Sequence, residues 1–237
     1  MKLSFANDRL LAVMAHPDDA ELLCAGTLAR GKADGAAIGI AVMCRGDKGV
    51  GSGDRQEDLA RVRQEEAAAA AEVLGAQLFW LGAADGELFD SYEMRKKLME
   101  IFRRFRPTLA ICHAIEDYHP DHRAASQLGE AASWFCAARG HVTESPAADA
   151  PPIVWFADTL DMAGFEPQIF VDVSGQLAIK ERMLALHRSQ LQRSGDRDFA
   201  PLAELMRRQA ATRGAQAGVP AAEAFRPHKT FKRIGAF

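Results

Sequence analysis

The sequence predicts an α/β fold: a Rossmann-like, doubly wound and mainly parallel sheet flanked by helices, with the strand order 3-2-1-4-5. Three observations support this fold class. Short apolar runs alternate with longer segments of helical character through residues 10–138, which is the βαβ pattern of a parallel sheet. The runs are apolar almost without interruption, as in strands buried on both faces. Polar clusters directly follow the first and fourth runs, where such a sheet places its functional site.

The first four elements follow from apolar runs, an acidic first turn and a glycine. Residues 10–15 are continuously apolar and predict the first strand. Residues 18–33 predict a helix whose acidic first turn suits the helix dipole. Residues 37–44 predict the second strand, and residues 55–74 an alanine-rich helix that ends before Gly75.

The next four elements continue the alternation. Residues 77–81 predict a short third strand, and Ser91 is placed to cap a helix over residues 92–105. The apolar run 108–113 predicts the fourth strand. A helix over residues 121–138 is expected after the second polar cluster.

The pattern is looser beyond residue 138. The segment 139–152 is rich in Ala, Pro, Ser and Asp, and predicts a surface loop or a flap. Residues 153–157 and 169–173 predict two more strands. Helices are expected at about 174–192 and 201–217.

Length and composition are ordinary for an enzyme domain. The chain has 237 residues, of which 48% are hydrophobic and 26% charged. We expect a single domain over residues 1–237, with its core at about 1–138 and further strands and helices at 153–237. A formal net charge of −3 argues against a nucleic-acid partner, and no apolar stretch approaches the roughly 20 residues that span a bilayer. The polar first residues and four widely spaced cysteines predict a cytoplasmic protein with reduced thiols.

Two polar clusters carry the functional signal. Ala-His-Pro-Asp-Asp-Ala-Glu-Leu, at residues 15–22, follows the first predicted strand, and Tyr-His-Pro-Asp-His, at residues 118–122, follows the fourth. A fold has no structural need for such groups at the ends of core strands, whereas a divalent cation does. Imidazole and carboxylate are zinc ligands. We therefore predict that His16, Asp19 and His122 bind one metal ion and leave one position for water.

The remaining polar side chains of the clusters suit proton transfer. Asp18 is placed to take a proton from a metal-bound water and to return it to a leaving amine. His119 is a spare imidazole that can stabilise a tetrahedral oxyanion. Zinc is the expected metal, with ferrous iron as the alternative, because both suit this ligand set.

Other interpretations of the clusters and of their neighbours stay open. Either cluster alone is compatible with a turn and a capping acid. Asp121 is interpreted as a helix cap or as a group that orients a neighbouring histidine, and Glu21 as a helix-dipole or supporting residue rather than a ligand. His113 is more typical of a hydrogen-bonded core histidine, and His187 is a candidate pocket-lining residue.

The glycine-rich loop at residues 45–54 does not have the signature of a phosphate-binding loop. It lacks Gly-Lys-Ser/Thr, and the carboxylates after the first strand would repel a pyrophosphate. We interpret the loop as one wall of a substrate pocket. Arg45, Arg63 and Asp85 are candidate substrate contacts, with solvated charges as the alternative.

Taken together, the motifs resemble those of the PIG-L/LmbE-like zinc-dependent N-deacetylases. Besides the two clusters, the matching blocks are Cys-Arg-Gly-Asp-Lys-Gly at 44–49, Arg-Gln-Glu-Glu at 63–66, Asp-Gly at 85–86, His-Arg-Ser-Gln at 187–190 and Ala-Glu-Ala-Phe at 222–225. The resemblance covers nearly the whole chain. It is greatest to the bacterial branch that contains the N-acetylglucosaminyl-malate deacetylase of bacillithiol synthesis.

The resemblance implies roles for individual residues. His16, Asp19 and His122 match the metal ligands of the family, Asp18 the general base and His119 the oxyanion-stabilising histidine. Arg63 and Asp85 match positions that tend to meet the substrate. Relatives often form trimers or hexamers, so a homo-oligomer of either kind is compatible with the resemblance.

These observations predict a zinc-dependent deacetylase. Its partner would be a small amino sugar conjugate of the N-acetylglucosamine type, from which attack of metal-bound water releases acetate and the amine. Two alternatives remain. Two histidines and a carboxylate also form the metal site of non-haem iron oxygenases. A non-catalytic module that binds a sugar or nucleotide would keep the metal only as a structural staple.

Overall fold

The computed structural model describes residues 4–49, 55–191 and 201–229. These residues form seven strands: β1 (Arg9–Met14), β2 (Ala37–Cys44), β3 (Gln77–Ala83), β4 (Leu109–Cys112), β5 (Ile153–Ala157), β6 (Ile169–Asp172) and β7 (Ala222–Pro227). All seven belong to one sheet in the order β3-β2-β1-β4-β5-β7-β6. The first five strands are parallel, while β7 runs antiparallel to both β5 and β6. The predicted fold class and the order 3-2-1-4-5 are confirmed.

Helices cover both faces of the sheet. The described residues form α1 (Asp19–Leu23), α2 (Ala25–Ala33), α3 (Gln56–Val73), α4 (Tyr92–Phe105), α5 (Pro120–Phe135), α6 (Leu177–Leu184), α7 (Arg188–Leu191) and α8 (Leu202–Ala217). A single 3-10 turn, Ser174–Gln176, precedes α6. Ser91 caps α4 as predicted, because its hydroxyl accepts a hydrogen bond from the Met94 N–H at 3.2 Å.

Side chains of β1 alternate between two hydrophobic cores, as the period of a strand requires. Leu10, Ala12 and Met14 pack in the core that α1, α2, α3, α6 and α8 cover. Leu11 and Val13 pack in the core that α4 and α5 cover. Burial on both faces explains why the parallel strands are continuous apolar runs in the sequence.

The sequence interpretation missed β7 as a strand. Glu223 interrupts its apolar character, although the side chain is only 4% exposed. The segment lies in the part of the sequence beyond residue 138 where the pattern is loose, and a charged residue there argues against a buried strand. The sheet therefore contains one strand that was not predicted, and β7 with the predicted β6 extends it beyond the order 3-2-1-4-5.

The prediction of one continuous helix over residues 18–33 is wrong, because the segment forms two helices. It breaks at Cys24, whose φ of −146° and ψ of 2° lie outside the helical region. The break presents the first N–H groups of α2 to the Glu223 carboxylate, which accepts hydrogen bonds from Gly26 at 2.9 Å and from Thr27 at 2.7 Å. A distant strand thus supplies the cap that local sequence does not.

A buried lysine balances the charge of this cap. The Lys180 Nζ atom lies 2.6 Å from Glu223 Oε1, and both side chains are almost inaccessible to solvent. An isolated carboxylate would be strongly disfavoured in the core, so the pair is needed for the cap to exist.

The predicted helix over residues 174–192 is also interrupted, and residue 192 lies outside the described residues. The chain leaves α6 after Leu184 and turns again into the short α7. The interruption turns His187 into the interior, where it is 1% exposed. It also brings Ser189 to Glu66 on α3, whose carboxylate accepts hydrogen bonds from the Ser189 N–H and hydroxyl at 2.8 and 2.6 Å.

Segment 139–152 is a surface loop fixed to α4. The buried Arg103 guanidinium donates to the Thr143 hydroxyl at 2.9 Å. Glu100 accepts hydrogen bonds from the Ser145 N–H at 3.0 Å and from its hydroxyl at 2.6 Å. No residue of this loop lines the cavity that holds the two polar clusters, so the geometry gives no support to the interpretation as a flap.

Candidate metal centre and active site

The two polar clusters meet where the strand order of the sheet reverses. β1 and β4 are adjacent and parallel, with Leu10 opposite Leu109 and Val13 opposite Cys112. Their carboxyl ends open into a cavity of about 430 Å³. Gly129 lets α5 approach β4, because a Cβ atom there would lie 2.5 Å from the Cys112 Sγ. The clusters therefore converge at the position that doubly wound sheets use for binding.

His16, Asp19 and His122 are close enough to share one ion. The His16 Nδ1 and His122 Nε2 atoms lie 3.3 Å apart. Asp19 places Oδ2 at 3.5 Å from the His16 Nδ1 and Oδ1 at 3.5 Å from the His122 Nε2. Ligands about 2.0–2.1 Å from a tetrahedral zinc ion are separated by about 3.4 Å. The two nitrogens fit that spacing, and Asp19 approaches each of them with a different oxygen.

Two further carboxylates orient the histidines. Asp121 Oδ2 lies 3.0 Å from the His16 Nε2, and Asp117 Oδ1 lies 3.0 Å from the His122 Nδ1. A carboxylate only accepts hydrogen bonds, so each of these ring nitrogens carries the proton. In the neutral rings, the opposite nitrogens would carry lone pairs that face each other across the candidate site. Carboxylates behind metal-binding histidines act in this way in many metal centres.

The electrostatics of the cluster favour a positive charge. Burial disfavours the protonated ring, but hydrogen bonds to Asp121 and Asp19 outweigh it and raise the pKa of His16 to about 10. Burial likewise opposes the charged form of Asp19, yet His122 and His113 hold its pKa well below the usual range. Ionised carboxylates and histidine nitrogens together form a set of donors that would accommodate a cation.

Asp18 is held in an unusual conformation at the edge of this cluster. Its φ of 96° lies in the left-handed region, which residues other than glycine rarely adopt. The side chain is 5% exposed. Burial and the neighbouring Asp19 raise the pKa of Asp18 to about 6. A carboxyl group with such a pKa can both accept and release a proton near neutral pH.

The two ring nitrogens of His119 have different roles. Its Nδ1 accepts a hydrogen bond from the Asp121 N–H at 3.1 Å and so caps α5. Burial and the nearby rings of His16 and His122 lower the pKa of His119. The ring is then neutral with its proton on Nε2, which remains a hydrogen-bond donor. The predicted cap at Asp121 is therefore supplied by His119 instead.

His113 lies behind the cluster and is fully buried. Its Nε2 accepts a hydrogen bond from the Ala15 N–H at 2.9 Å and lies 3.2 Å from Asp19 Oδ2. The ring stacks on that of His122 with centroids 4.1 Å apart. This histidine joins the end of β1 to the candidate ligands.

The three predicted substrate contacts differ in their placement. Arg63 and Asp85 line the cavity, whereas Arg45 is not among its lining residues. Arg45 is bound instead by Asp47, with Nη2 and Oδ2 2.8 Å apart. Asp85 accepts a hydrogen bond from the Gly46 N–H at 2.8 Å. Gly46 has a φ of 74°, and a Cβ there would lie 2.4 Å from the Arg63 Cδ, so glycine is required for Arg63 to reach the cavity.

Three polar residues of the cavity, outside the predicted glycine-rich wall, were not predicted as site residues. Asp117 precedes the second cluster but has no metal-ligand spacing of its own, and its role becomes visible only through His122. Tyr118 lines the cavity with its side chain 62% exposed. Gln190 reaches the cavity from α7, far along the chain from either cluster, and only the family resemblance of residues 187–190 pointed to its segment. His187 is buried beside Glu21, 3.4 Å away, and is not a lining residue.

The sheet and the histidine–carboxylate cluster at its switch point define an α/β protein with a candidate metal-binding active site. The sequence profile described as PIG-L, GlcNAc-PI de-N-acetylase, matches residues 11–133, which is just over half of the chain and includes both clusters. The chain therefore belongs to the PIG-L family.

Individual relatives include two different activities. The chain is 28% identical over 191 residues to a diacetylchitobiose deacetylase of Thermococcus kodakarensis, a match that covers 77% of this chain and 70% of the relative. It is 27% identical over 172 residues to a 4-oxalmesaconate hydratase of Pseudomonas putida, covering 69% and 67%. The solved structure of a conserved protein of Thermus thermophilus is 32% identical, with a TM-score of 0.78 and coverage of 97% and 100%.

Proposed function

We propose that this protein is a metal-dependent deacetylase that removes the acetyl group from an N-acetylated amino sugar conjugate. The observation that carries the proposal is the convergence of the His16 Nδ1, the His122 Nε2 and the Asp19 carboxylate beside the buried Asp18. Zinc is the proposed cofactor, with ferrous iron as the alternative. A divalent cation held by these three side chains would acidify a water molecule and polarise the acetamide carbonyl.

Asp18 and His119 would carry out the proton chemistry. Asp18 accepts the proton of the attacking water and returns it to the nitrogen of the leaving amine, so that acetate and a primary amine are the products. The His119 Nε2–H donates a hydrogen bond to the oxygen that becomes negative in the tetrahedral intermediate. The pKa of about 6 for Asp18 supports its double role.

The charges around the cavity support a neutral, hydroxyl-rich substrate. Among the described lining residues, the four carboxylates of Asp18, Asp19, Asp85 and Asp117 face Lys48, Arg63 and the His16 ring with its raised pKa, so neither sign predominates strongly. Lys48 is itself 3.3 Å from Glu87. The exposed ring of Tyr118 offers an apolar face of the kind on which pyranose rings pack. A sugar suits these surroundings better than a polyanion does.

A hydratase is the second candidate, because one relative carries that name. The name of its substrate denotes a polycarboxylate, which needs several cationic groups for binding. The described lining residues show no excess of cationic groups, which, with the de-N-acetylase description of the matching family, favours the deacetylase.

A cytoplasmic location is part of the proposal. The four cysteines are buried thiols, which supports a reducing compartment. Among the described residues, no helix combines the length and apolar character needed to cross a membrane.

The test is acetate release from a panel of substrates by protein loaded with zinc or with ferrous iron. The panel contains N-acetylglucosamine and its conjugates with a second sugar, an inositol and malate, and a polycarboxylate is tested for hydration in parallel. We expect acetate from at least one conjugate and no hydration. Hydration without acetate release would replace the proposal by the second candidate, and absence of both would refute it.

A further inference from the structure

The side-chain amide of Gln190 joins two groups of the cavity. Its Nε2 donates a hydrogen bond to Asp18 Oδ2 at 3.1 Å. Its Oε1 accepts a hydrogen bond from the Arg63 Nη2. Among the described residues, Gln190 is the one hydrogen-bond partner of the Asp18 carboxylate. The amide is therefore well placed to determine where that carboxylate points.

Arg63 fixes which way the amide faces. A guanidinium group only donates hydrogen bonds, so the oxygen of Gln190 must face Arg63. The NH₂ group then faces Asp18, and the reverse orientation would set two donors against each other and two acceptors against each other. Arg63 is 2% exposed, so water cannot easily take the place of this contact.

The backbone that carries Gln190 is fastened on both sides. Ser189 is bound to Glu66 on α3 through its N–H and its hydroxyl. The Gln190 N–H donates to the His187 carbonyl oxygen at 3.1 Å. His187 in turn is packed 3.4 Å from Glu21 on α1. α7 is thereby attached to the two helices that flank the cavity.

We propose that Gln190 is a positioning residue that assigns the two oxygens of Asp18 different tasks. The amide N–H engages Oδ2, which leaves Oδ1 as the oxygen that takes the proton from water and delivers it to the leaving amine. A proton on Oδ2 would face the N–H donor, so protonation is directed to Oδ1. This inference rests on the proposed function, because it specifies how the general base of that reaction is held.

The test compares Gln190→Ala and Gln190→Glu with the wild-type protein, all loaded with zinc. Glutamate can still accept from Arg63 but, when ionised, cannot donate to Asp18. We expect kcat to fall about 10- to 100-fold in both variants while KM changes little, because a misplaced catalytic group lowers the rate of the chemical step. Gln127→Ala, at an exposed position of α5, is the control and should behave as wild type. Equal kcat values in wild type and both variants would overturn the proposal.

A double-variant cycle tests whether Gln190 acts through Asp18. Combined with Asp18→Asn, the Gln190→Ala change should add no further loss, since its target is already gone. Losses that multiply would show that Gln190 acts on the substrate by itself and would overturn the positioning role. Thermal denaturation of each variant checks that the fold is kept.

Crystal structures make the inference independent of the assay. In the wild type, the Gln190 Nε2 should bond to Asp18 Oδ2, and in Gln190→Ala the Asp18 carboxylate should rotate or lose its defined position. An unchanged carboxylate would overturn the inference even if acetate is released. If no substrate of the panel releases acetate, the proposed function fails on that result, and these structures alone decide whether Gln190 holds Asp18.

Discussion

The His16 Nδ1 and the His122 Nε2 lie 3.3 Å apart, and each ring has a carboxylate on its opposite side. In the neutral rings, two lone pairs would face each other at this distance and repel, and either a proton on the His16 Nδ1 or a metal ion between the rings relieves that repulsion. The carboxylates keep the lone pairs in that arrangement by holding the protons on the outer nitrogens. The framework around the two histidines is therefore arranged for a cation before one binds.

Metal removal should abolish activity and lower stability. A chelator should eliminate acetate release and lower the melting temperature, since an ion that binds only the folded state stabilises it. One equivalent of zinc should restore both. His16→Ala should fail to retain the ion, whereas His141→Ala, away from the cavity, should bind it normally. Elemental analysis and thermal denaturation are the measurements, and full occupancy in His16→Ala would contradict the assigned ligand set.

Replacement of the proposed general base should separate chemistry from metal binding. Asp18→Asn should lower kcat by about 100- to 10,000-fold, the range expected for loss of a general acid–base group. The metal content should stay at one equivalent per chain. Asp149→Asn, whose side chain is 95% exposed, serves as the control for loss of a carboxylate. Turnover at the wild-type rate by Asp18→Asn would remove this residue from the mechanism.

Asp117→Asn should have the opposite signature. The amide holds the His122 ring less firmly and no longer supports its basicity, so metal affinity should fall about 10- to 100-fold. Competition with a chromophoric chelator measures this affinity. With saturating metal, activity should largely return, which does not hold for Asp18→Asn. An unaltered affinity would show that Asp117 does not support the site.

The buried pair of Lys180 and Glu223 should be important for stability. Lys180→Met leaves a carboxylate uncompensated in the core and should lower the free energy of unfolding by about 3–5 kcal/mol. The double variant Lys180→Met/Glu223→Gln removes that charge and should recover part of the loss. Urea denaturation of the variants gives the values. A loss below about 1 kcal/mol for Lys180→Met would contradict this account.

The contact between Glu100 and Ser145 should make stability depend on pH. Burial alone would raise the pKa of Glu100, but the hydrogen bonds from Ser145 outweigh it and lower the pKa. A carboxyl group with a lowered pKa in the folded state stabilises the protein above its unfolded pKa of about 4.3. This contribution is lost as the pH falls through the folded-state pKa.

Ser145→Ala tests this dependence. The variant should be less stable than wild type at pH 7, and the difference in the free energy of unfolding should shrink as the pH falls below about 4. Chemical denaturation at several pH values measures the difference. A gap of constant size across this range would mean that the Glu100 carboxylate is not its source.

The sequence was most informative where local chemistry determines structure. The first five strands are apolar because both faces of the sheet are covered, so their positions and their order followed from the pattern alone. His16, Asp19 and His122 were likewise predicted as ligands from local sequence, since an imidazole or a carboxylate at the end of a core strand has few other uses. These three side chains lie close together, and their role as metal ligands stays a prediction.

Features that depend on distant partners were not predictable. The break at Cys24 is stabilised by Glu223, 197 residues from Gly26 in the chain, and no property of residues 18–33 indicates it. Gln190 and Asp117 matter through the residues that they touch. Arg45 was predicted as a substrate contact from its place in the glycine-rich loop; Asp47 of the same loop binds it, and a substrate contact stays a prediction.

The dependence of α2 on Glu223 has a consequence for biosynthesis. β7 is the last strand of the described chain to leave the ribosome, so the helix behind the candidate active site has no cap until then. A nascent chain that contains both polar clusters but not β7 should therefore lack the cap of α2. In such a chain Lys180 has no counter-charge. Stable folding of the catalytic half therefore depends on the synthesis of β7, and ribosome-stalled fragments ending before β7 should be more sensitive to protease around Cys24 than the released protein.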